Sequence, residues 1–394
     1  MEVLQAGGGS VPSAAMDGHS MASPEDQGTT FVELFFDLVF VFAITRVTHY
    51  AAHHLDGHGL VRSVIVFWLI WWGWTQFTWA LNAANTQHHH VRLGTLIAVG
   101  VAFVMAISVE NAFAAPAEGA MWFASSYVAV RVLGLGLYYR VVPDSDQRAA
   151  VVTFSLFSIA GLVTVVVGGL VDPSLRDWIW LGAIALDLGA AWIVGNNCSW
   201  SLHAGHFAER HGLIIIIALG ESLIVAGSAL TSEVAPATMA AGALAVIMTC
   251  LLWWTYFGWV AEVLEEHLIG QADLPRARLG RDAYTFWHFP LVTGIVALAV
   301  GFETALHPDE YTLTQTAAAV GLGLTLFLTS TAGALHRAAG CVLWNRLIIL
   351  ALTLVGLALS TSSSAHQILG IACAGLVVIV AIEQVTIRRD LAAP

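Results

Sequence analysis

The sequence predicts an all-α membrane protein with about twelve transmembrane helices, arranged as two parallel six-helix repeats. Three observations predict this fold class: the composition, a series of long apolar segments, and matching motifs in the two halves of the chain. The 394 residues are 58% hydrophobic and only 11% charged, and the mean hydropathy is +0.77. Because soluble domains carry roughly 25% charged residues, the excess apolar surface has to face lipid.

Apolar segments recur from residue 31 to the C-terminus, and each is long enough to cross a hydrocarbon core of ~30 Å as a helix. The alternation of polar and apolar residues typical of transmembrane barrels is absent. The predicted spans are 31–54, 60–86, 91–114, 118–141, 148–171, 176–197, 205–230, 236–264, 283–305, 313–335, 341–360 and 366–387. The connections are short, and the longest is the polar stretch Glu265–Arg281.

The ends of the chain are predicted to lie outside the helical bundle. Residues 1–30 have neither an arginine nor an apolar run, so they lack the features of a cleavable signal peptide. We expect a disordered cytoplasmic tail over 1–30 and a short C-terminal tail over 389–394. The two six-helix halves then cover 31–197 and 205–388.

The arginines orient the predicted helices. If both termini are cytoplasmic, the inner loops and tail contain Arg92, Arg140, Arg148, Arg276, Arg278, Arg281, Arg337, Arg388 and Arg389, whereas the outer loops contain Arg62 and Arg176. Basic residues concentrate in the cytoplasmic loops of membrane proteins. The sequence therefore predicts a multi-pass protein of the inner or plasma membrane with both termini in the cytoplasm.

Three short matches indicate an internal repeat. Phe31-Val-Glu33 aligns with Phe207-Ala-Glu209, Trp74-Thr-Gln-Phe-Thr-Trp79 with Trp254-Thr-Tyr-Phe-Gly-Trp259, and Gly134-Leu-Gly136 with Gly321-Leu-Gly323. Because each half holds an even number of spans, the halves share one orientation. This arrangement predicts a pseudo-two-fold axis along the membrane normal.

The composition also limits partners and cofactors. The net charge is −12 and every basic residue is an arginine, which gives no basic face for nucleic acid. No CxxC pair, P-loop, GxSxG, HExxH or dinucleotide motif occurs in a suitable context, so the sequence identifies no cofactor. His206 and Glu209 have a spacing seen in bundle metal sites, but a second Glu-x-x-His is missing, and we expect no metal. The expected partners are membrane lipid and a small-molecule or lipid substrate.

Ionisable residues inside the apolar segments are the candidate functional residues, because each costs several kcal/mol there unless it is paired or hydrated. Glu33 and Asp37 are four residues apart and share one face of the first helix, whereas Arg46 points to the other side. We expect a polar cavity between the first, second, seventh, eighth and ninth spans, open to the cytoplasm. The candidate proton-exchanging or catalytic residues are Glu33, Asp37, Glu209, His206, His211 and Glu221. The candidate substrate-binding residues are Arg46, Arg210, Gln76, Asn82, His288, Trp72 and Trp79.

Three hypotheses account for these residues. In the first, the protein is a proton-coupled transporter or exporter of a small or amphiphilic solute, in which Glu33, Glu209 and Glu221 exchange protons. In the second, it is an intramembrane acid–base enzyme, a cyclase or transferase, acting on an isoprenoid or lipid. In the third, it is a structural or sensory protein, and Arg210 clamps the halves together through Glu33 and Asp37. A transporter needs access from both sides, whereas an enzyme needs one entrance.

Two long motifs resemble the bacterial low temperature requirement A (LtrA) family. They are Glu33-Leu-Phe-Phe-Asp37-Leu-Val-Phe-Val-Phe-Ala and His206-Phe-Ala-Glu209-Arg210-His211-Gly-Leu-Ile-Ile-Ile-Ile-Ala-Leu-Gly220-Glu221-Ser222. The tryptophan-rich segment Trp71–Trp79 and His288-Phe-Pro-Leu-Val-Thr-Gly fit the same family. Two stretches depart from the family pattern, Asn82-Ala-Ala-Asn85-Thr-Gln-His88-His89-His90 and Gly258. The resemblance implies a polytopic membrane protein linked by name to growth in the cold, and it implies no particular activity.

Overall fold

The computed structural model describes residues 20–24, 27–114, 117–142, 144–197, 200–229, 236–360 and 364–392. Within these ranges the chain is helical apart from short connections and an isolated β-bridge between Ala22 and Ala84. The α-helices are α1 (Phe31–His53), α2 (Gly57–Asn82), α3 (His89–Ile107), α4 (Glu118–Val141), α5 (Ser145–Leu170), α6 (Pro173–Asn197), α7 (Ala204–Ala229), α8 (Pro236–Phe257), α9 (Val260–Ile269), α10 (Asp273–Leu279), α11 (Trp287–Leu306), α12 (Leu313–Ala339), α13 (Trp344–Leu359) and α14 (Ala365–Ala392).

Ten helical segments in the described ranges are long and apolar enough to cross a membrane. This confirms the predicted class, an all-α protein with many apolar helices of transmembrane length. The two predicted spans outside these ten correspond to α1 and α13. Helix α1 carries the charged residues Glu33, Asp37 and Arg46. Helix α13 has 16 residues, which at ~1.5 Å per residue is shorter than a hydrocarbon core of ~30 Å. The count of twelve therefore stays a prediction.

Two stretches differ in detail from the prediction. The predicted span 236–264 falls within one of the ten segments, Pro236–Ile269, but its helix is interrupted between α8 and α9 at Gly258. An added Cβ at Gly258 would lie 2.5 Å from the carbonyl oxygen of Trp254. The stretch Glu265–Arg281, expected to be a connection, contains the end of α9, α10 and the start of a π-helical segment, Gly280–Phe286. Pro290 lies four residues after this segment, and its missing N–H leaves the carbonyl of Phe286 without the usual helical donor.

The segment before α1 packs against the bundle. The backbone N–H of Ser23 donates to the carbonyl of Ala83 (2.9 Å), and the N–H of Asn85 donates to the carbonyl of Met21 (2.8 Å). The prediction of a disordered tail therefore needs correction for residues 20–24 and 27–30, while residues 1–19 and 25–26 lie outside the described residues. At the other end, α14 continues to Ala392 into the predicted tail 389–394, and residues 393–394 lie outside the described residues.

Helix ends are set by local chemistry. Asp56 caps α2 by accepting a hydrogen bond from the N–H of Gly59 (2.7 Å), and this bond lowers the pKa of the Asp56 carboxyl. Helix α12 begins with reciprocal hydrogen bonds between Thr312 and Gln315. It ends at Gly340, whose φ of 70° lies in the left-handed region that favours glycine.

Helix α2 occupies the centre of the described fold. In α2, 89% of an apolar 18-residue stretch is buried, whereas only 33% of the corresponding stretch is buried in α5, α6 and α14. These three helices therefore face outward. Helix α1 packs against α2, α3, α7 and α11. On the other side, α11 packs closely on α12, because a Cβ on Gly294 would lie 2.8 Å from the carbonyl oxygen of Gly323. Helix α1 is thus surrounded by α2, α3, α7 and α11.

Candidate functional site

A buried ion network joins the first turns of α1 and α7. Oε1 of Glu33, the third residue of α1, lies 2.9 Å from Nε2 of His206, the third residue of α7. One turn further, Nη2 of Arg210 contacts Oδ1 of Asp37, and Nη1 of Arg210 lies 3.6 Å from Oε1 of Glu33. The partners are 173 positions apart in both the His206 and the Asp37 contacts. Helices α1 and α7 thus run parallel, with their N-termini at the same end of the bundle.

Two neighbouring residues donate further hydrogen bonds to the carboxylates. The indole N–H of Trp74 on α2 donates to Oδ1 of Asp37 (2.7 Å). The N–H and hydroxyl of Thr30, just before α1, donate to Oε2 of Glu33 at 2.9 and 2.8 Å. The ionic side chains are at most 1% exposed. The network is therefore shielded from water in this conformation.

The four ionisable groups of the network do not balance in charge without an additional proton. Glu33 and Asp37 supply two negative charges and Arg210 supplies one positive charge. Oδ2 of Asp37 and the Nε and Nη1 atoms of Arg210 have no hydrogen-bond partner in the described part of the chain. Because uncompensated charge is costly in a buried site, one added positive charge would balance the network.

Asn82 fixes the second nitrogen of His206. Its side-chain oxygen accepts from the N–H of His203 (2.9 Å), and its Nδ2 donates to the carbonyl of His203 (2.9 Å). These two bonds set the amide orientation, so that Nδ2 faces Nδ1 of His206 at 3.5 Å. Nδ1 then accepts a hydrogen bond and Nε2 donates one to Glu33. A proton added to Nδ1 would meet the Nδ2 donor and would break this contact.

His211 and His288 belong to an aromatic cluster beside the ion network. Nδ1 of His211 bonds to the carbonyl of Phe207 (2.9 Å), and its ring meets those of Trp74 and His288. Nε2 of His288 lies 2.7 Å from the hydroxyl of Tyr256. Both histidines are fully buried. Neither forms an ion pair with Glu33 or Asp37 among the described residues.

Two pockets lie among the described helices, one lined by α2 together with α4, α5 and α6, and the other by α7, α8 and α9. The first pocket, which we call the aromatic pocket, has a volume of about 640 Å³ including its open part. It is lined by Trp72, Thr75, Gln76, Trp79, Tyr138, Phe154, Ala191, Gly195, Trp200, Ala277, Arg281 and Thr285. Three predicted substrate-binding residues, Trp72, Gln76 and Trp79, therefore share one pocket.

The second pocket, which we call the acidic pocket, measures about 590 Å³ including its open part. It is lined by Ala208, Glu209, Gly212, Leu213, Ile216, Tyr256, Phe257, Ala261, Glu265 and Tyr284. Glu209 was predicted to belong to the charged cluster with Glu33 and Asp37. It is instead exposed in this pocket and does not join the ion network. Its Oε2 accepts from the N–H of Thr29 (2.9 Å), next to Thr30, which donates to Glu33. Residues 29–30 thus connect the acidic pocket to the ion network.

Two predicted site residues lie elsewhere. Arg46 is at the opposite end of α1 from Glu33, and it pairs with Glu110 (3.2 Å), which also contacts His49 (2.8 Å). Glu221 is about three turns beyond Glu209 on α7 and is half-buried. It forms no ion pair within the described ranges. The helical rotation between Glu209 and Glu221 explains why the two carboxylates do not share a site.

Several contributors were missed by reasoning from the sequence. Trp74, Thr30 and Tyr256 are hydrogen-bond partners of the predicted charged residues, and Arg281 lines the aromatic pocket. Trp74 lies in the tryptophan-rich segment, which could have suggested it. The ring nitrogens of His88, His89 and His90 lie close together at the start of α3. His89 and His90 are exposed.

Comparisons with known proteins identify relatives by sequence. The profile of the bacterial low temperature requirement A protein (LtrA) matches residues 28–381. An uncharacterized protein of Rhizobium meliloti (strain 1021), RA0937, is 29% identical over 324 residues, which is 77% of this chain and 76% of that protein. No solved structure is significantly similar to the chain. The matched range includes the ion network and both pockets.

Proposed function

The chain belongs to the bacterial low temperature requirement A (LtrA) family, and from that premise we propose that it is a proton-coupled transporter of a small or amphiphilic solute. The observation that carries this proposal is the ion network of Glu33, Asp37, His206 and Arg210. It accepts a proton at the contact between α1 and α7, and its charges balance when it does so.

The position of the network favours coupling over catalysis. None of its four ionisable residues lines the aromatic or the acidic pocket, so a substrate in either pocket does not touch them. A catalytic acid or base has to reach the proton that it transfers, directly or through one water. A coupling residue instead acts through a conformational change, and each state is favoured by a different protonation state.

Asn82 gives this coupling a route. A proton on Nδ1 of His206 displaces the amide of Asn82, which holds the end of α2 to His203 just before α7. Helix α2 lines the aromatic pocket, and α7 lines the acidic pocket. Protonation would therefore loosen the junction between the helices that form the two pockets.

We further propose that the bundle has twelve spans in two halves, 31–197 and 205–388, related as parallel repeats. The packing of the described helices supports this pairing. Helices α1 and α3 pack as α7 and α11 do, and α5 packs on α6 as α13 packs on α14. Each half also has a buried arginine bound to a carboxylate on its last helix: Arg131 with Asp187, and Arg346 with Glu383.

The proposed topology puts both termini in the cytoplasm of the cell membrane. A periplasmic alkaline phosphatase fused after Ala393 should be inactive, whereas a green fluorescent protein fused there should fluoresce. An active phosphatase and a dark fluorescent fusion would contradict the twelve-span topology. The same reporters fused after Asp56, in the proposed first outer loop, should give the opposite pattern and serve as the control.

Transport can be tested in vesicles that contain the purified protein. We expect a pH gradient to drive the accumulation of at least one of three probes: 1-naphthalenesulfonate (an anion), its neutral sulfonamide, or ethidium (a cation). Accumulation should stop when the gradient is dissipated with an uncoupler. If none of the probes accumulates above protein-free vesicles, the proposal for this range of solutes is wrong.

A specific observation supports the second candidate function, an intramembrane acid–base enzyme. The hydroxyl of Tyr256, which lines the acidic pocket, lies 2.7 Å from His288, and Glu209 and Glu265 line the same pocket. Such a tyrosine–histidine pair can transfer a proton to a bound isoprenoid or lipid. A Tyr256→Phe variant separates the two functions, because it should abolish turnover by an enzyme but leave pH-driven accumulation in a transporter.

A further inference from the structure

The walls of the aromatic pocket contain hydrogen-bond donors without partners. The indole N–H groups of Trp72 and Trp200 are buried and bind no acceptor in the described part of the chain. The residues are only 5% and 9% exposed. Buried donors usually find a protein or water acceptor, and an unpaired one costs about 1–3 kcal/mol. Both N–H groups are enclosed, so a ligand reaches them only after these side chains shift, and the indole rings themselves form the pocket walls.

Arg281 lines the same pocket and can accept an anion. Its side chain is 9% exposed. Its Nε donates to Asp282 (2.7 Å) and its Nη1 to the side-chain oxygen of Asn196 (3.2 Å). Its Nη2 has no hydrogen bond to a described residue, so this donor remains for a ligand. The rings of Trp192 and Phe286 lie 5.2 and 6.0 Å from the guanidinium carbon.

The charge around Arg281 also favours an anion. Asp282 is shared between Arg281 and Arg337, which contacts its other oxygen at 2.9 Å. Arg278 donates instead to the carbonyl of Asn196 (2.7 Å), whose side-chain oxygen accepts from Arg281. Two guanidinium groups thus share one carboxylate. The remaining positive charge lies at the Arg281 side of a pocket whose other walls are largely aromatic.

We propose that the aromatic pocket binds a compact amphiphile with an anionic head group, which Arg281 holds, and an aromatic or branched apolar body, which packs on Trp72, Trp79 and Trp200. The role of this amphiphile as the transported solute rests on the proposed function, but its binding does not. The walls that carry these rings enclose about 640 Å³ including the part open to solvent. We assign the pocket one compact body rather than the two acyl chains of a phospholipid.

Binding can be measured by calorimetry on the full chain in phosphatidylcholine nanodiscs. We expect 1-naphthalenesulfonate to bind at least tenfold more tightly than 1-naphthalenesulfonamide, which has a similar shape and no charge. Arg281→Gln should remove this preference, because a charge-assisted hydrogen bond accounts for about tenfold or more. Arg92→Gln, an arginine at the start of α3 outside the pocket, should leave the preference unchanged.

Two more variants test whether the ligand occupies the pocket. Ala191→Phe should weaken both probes at least tenfold by filling the cavity. If this variant does not fold, Gly195→Ala replaces it, because a Cβ there would lie 2.7 Å from Nη1 of Arg281 and would displace the guanidinium. Equal affinity for the two probes, or affinities that Arg281→Gln and the pocket variants leave unchanged, would overturn the proposal.

Nanodiscs that contain phosphatidylglycerol distinguish a compact solute from a lipid head group. If the ligand is a compact solute, phosphatidylglycerol should not compete with 1-naphthalenesulfonate. Competition would overturn that assignment and indicate a lipid head group. The outcomes also separate this inference from transport. Sulfonate binding without accumulation of any probe would contradict the transporter alone, and pH-driven ethidium accumulation without sulfonate binding would contradict this inference alone.

Discussion

Replacing Arg210 with methionine is expected to lower the free energy of unfolding by about 3–5 kcal/mol, because it leaves two buried carboxylates without a cation. The loss can be measured by titration with a denaturing detergent or by heating in a mild one. Arg148→Met is the matched control, since Arg148 is outside the ion network and donates to the carbonyl of Val142, and it should change stability by less than about 1 kcal/mol.

A charge-neutral triple variant tests the electrostatic reason for this loss. Glu33→Gln, Asp37→Asn and Arg210→Met together remove both carboxylates and the guanidinium. Buried ion networks can often be replaced by neutral residues at little cost, so the triple variant should recover most of the stability lost in Arg210→Met. It should nevertheless fail to transport. A triple variant that is fully active would reduce the network to a structural clamp between α1 and α7.

Glu33→Gln is expected to abolish pH-driven accumulation and to preserve solute exchange across the vesicle membrane. Glutamine keeps the shape and can still accept the hydrogen bonds from Thr30, but the charge that balances a proton is gone. Exchange of labelled for unlabelled solute needs no net proton movement, so it separates coupling from binding.

Glu383→Gln is the control for Glu33→Gln, because Glu383 also pairs with a buried arginine, Arg346 (2.8 Å), but on α13 and α14. It should retain accumulation once differences in folded protein are corrected. If Glu33→Gln accumulates the probe as well as Glu383→Gln does, the ion network is not the coupling site.

The fold class was predictable because it depends on composition and on the length of apolar segments, which tertiary structure barely changes. Boundaries were less predictable where one residue alters backbone geometry. The helix is interrupted at Gly258 inside the predicted eighth span, and a π segment lies ahead of α11, which contains Pro290. The number of spans was also hard to predict, because α13 is short and α1 carries charged residues. Limits on helix length and on charge decide whether each helix is counted.

The candidate site was predictable to the extent that charges in apolar helices need partners. Glu33, Asp37, His206 and Arg210 come together as expected, since two parallel helices that start at one level bring equivalent positions into contact. Glu209 does not join them, because it lies on another face of α7 and reaches Thr29. The two pockets were not predictable, since their walls combine residues far apart in sequence, such as Trp72 and Arg281.

Proton movement measured together with solute movement tests the coupling claim most directly. Vesicles would contain a pH-sensitive dye, and the probe that accumulates would be added without an imposed gradient. The account predicts a pH change that starts with the probe, scales with its uptake, persists in Glu383→Gln and disappears in Glu33→Gln. Probe uptake by the wild type with no accompanying proton movement would contradict it.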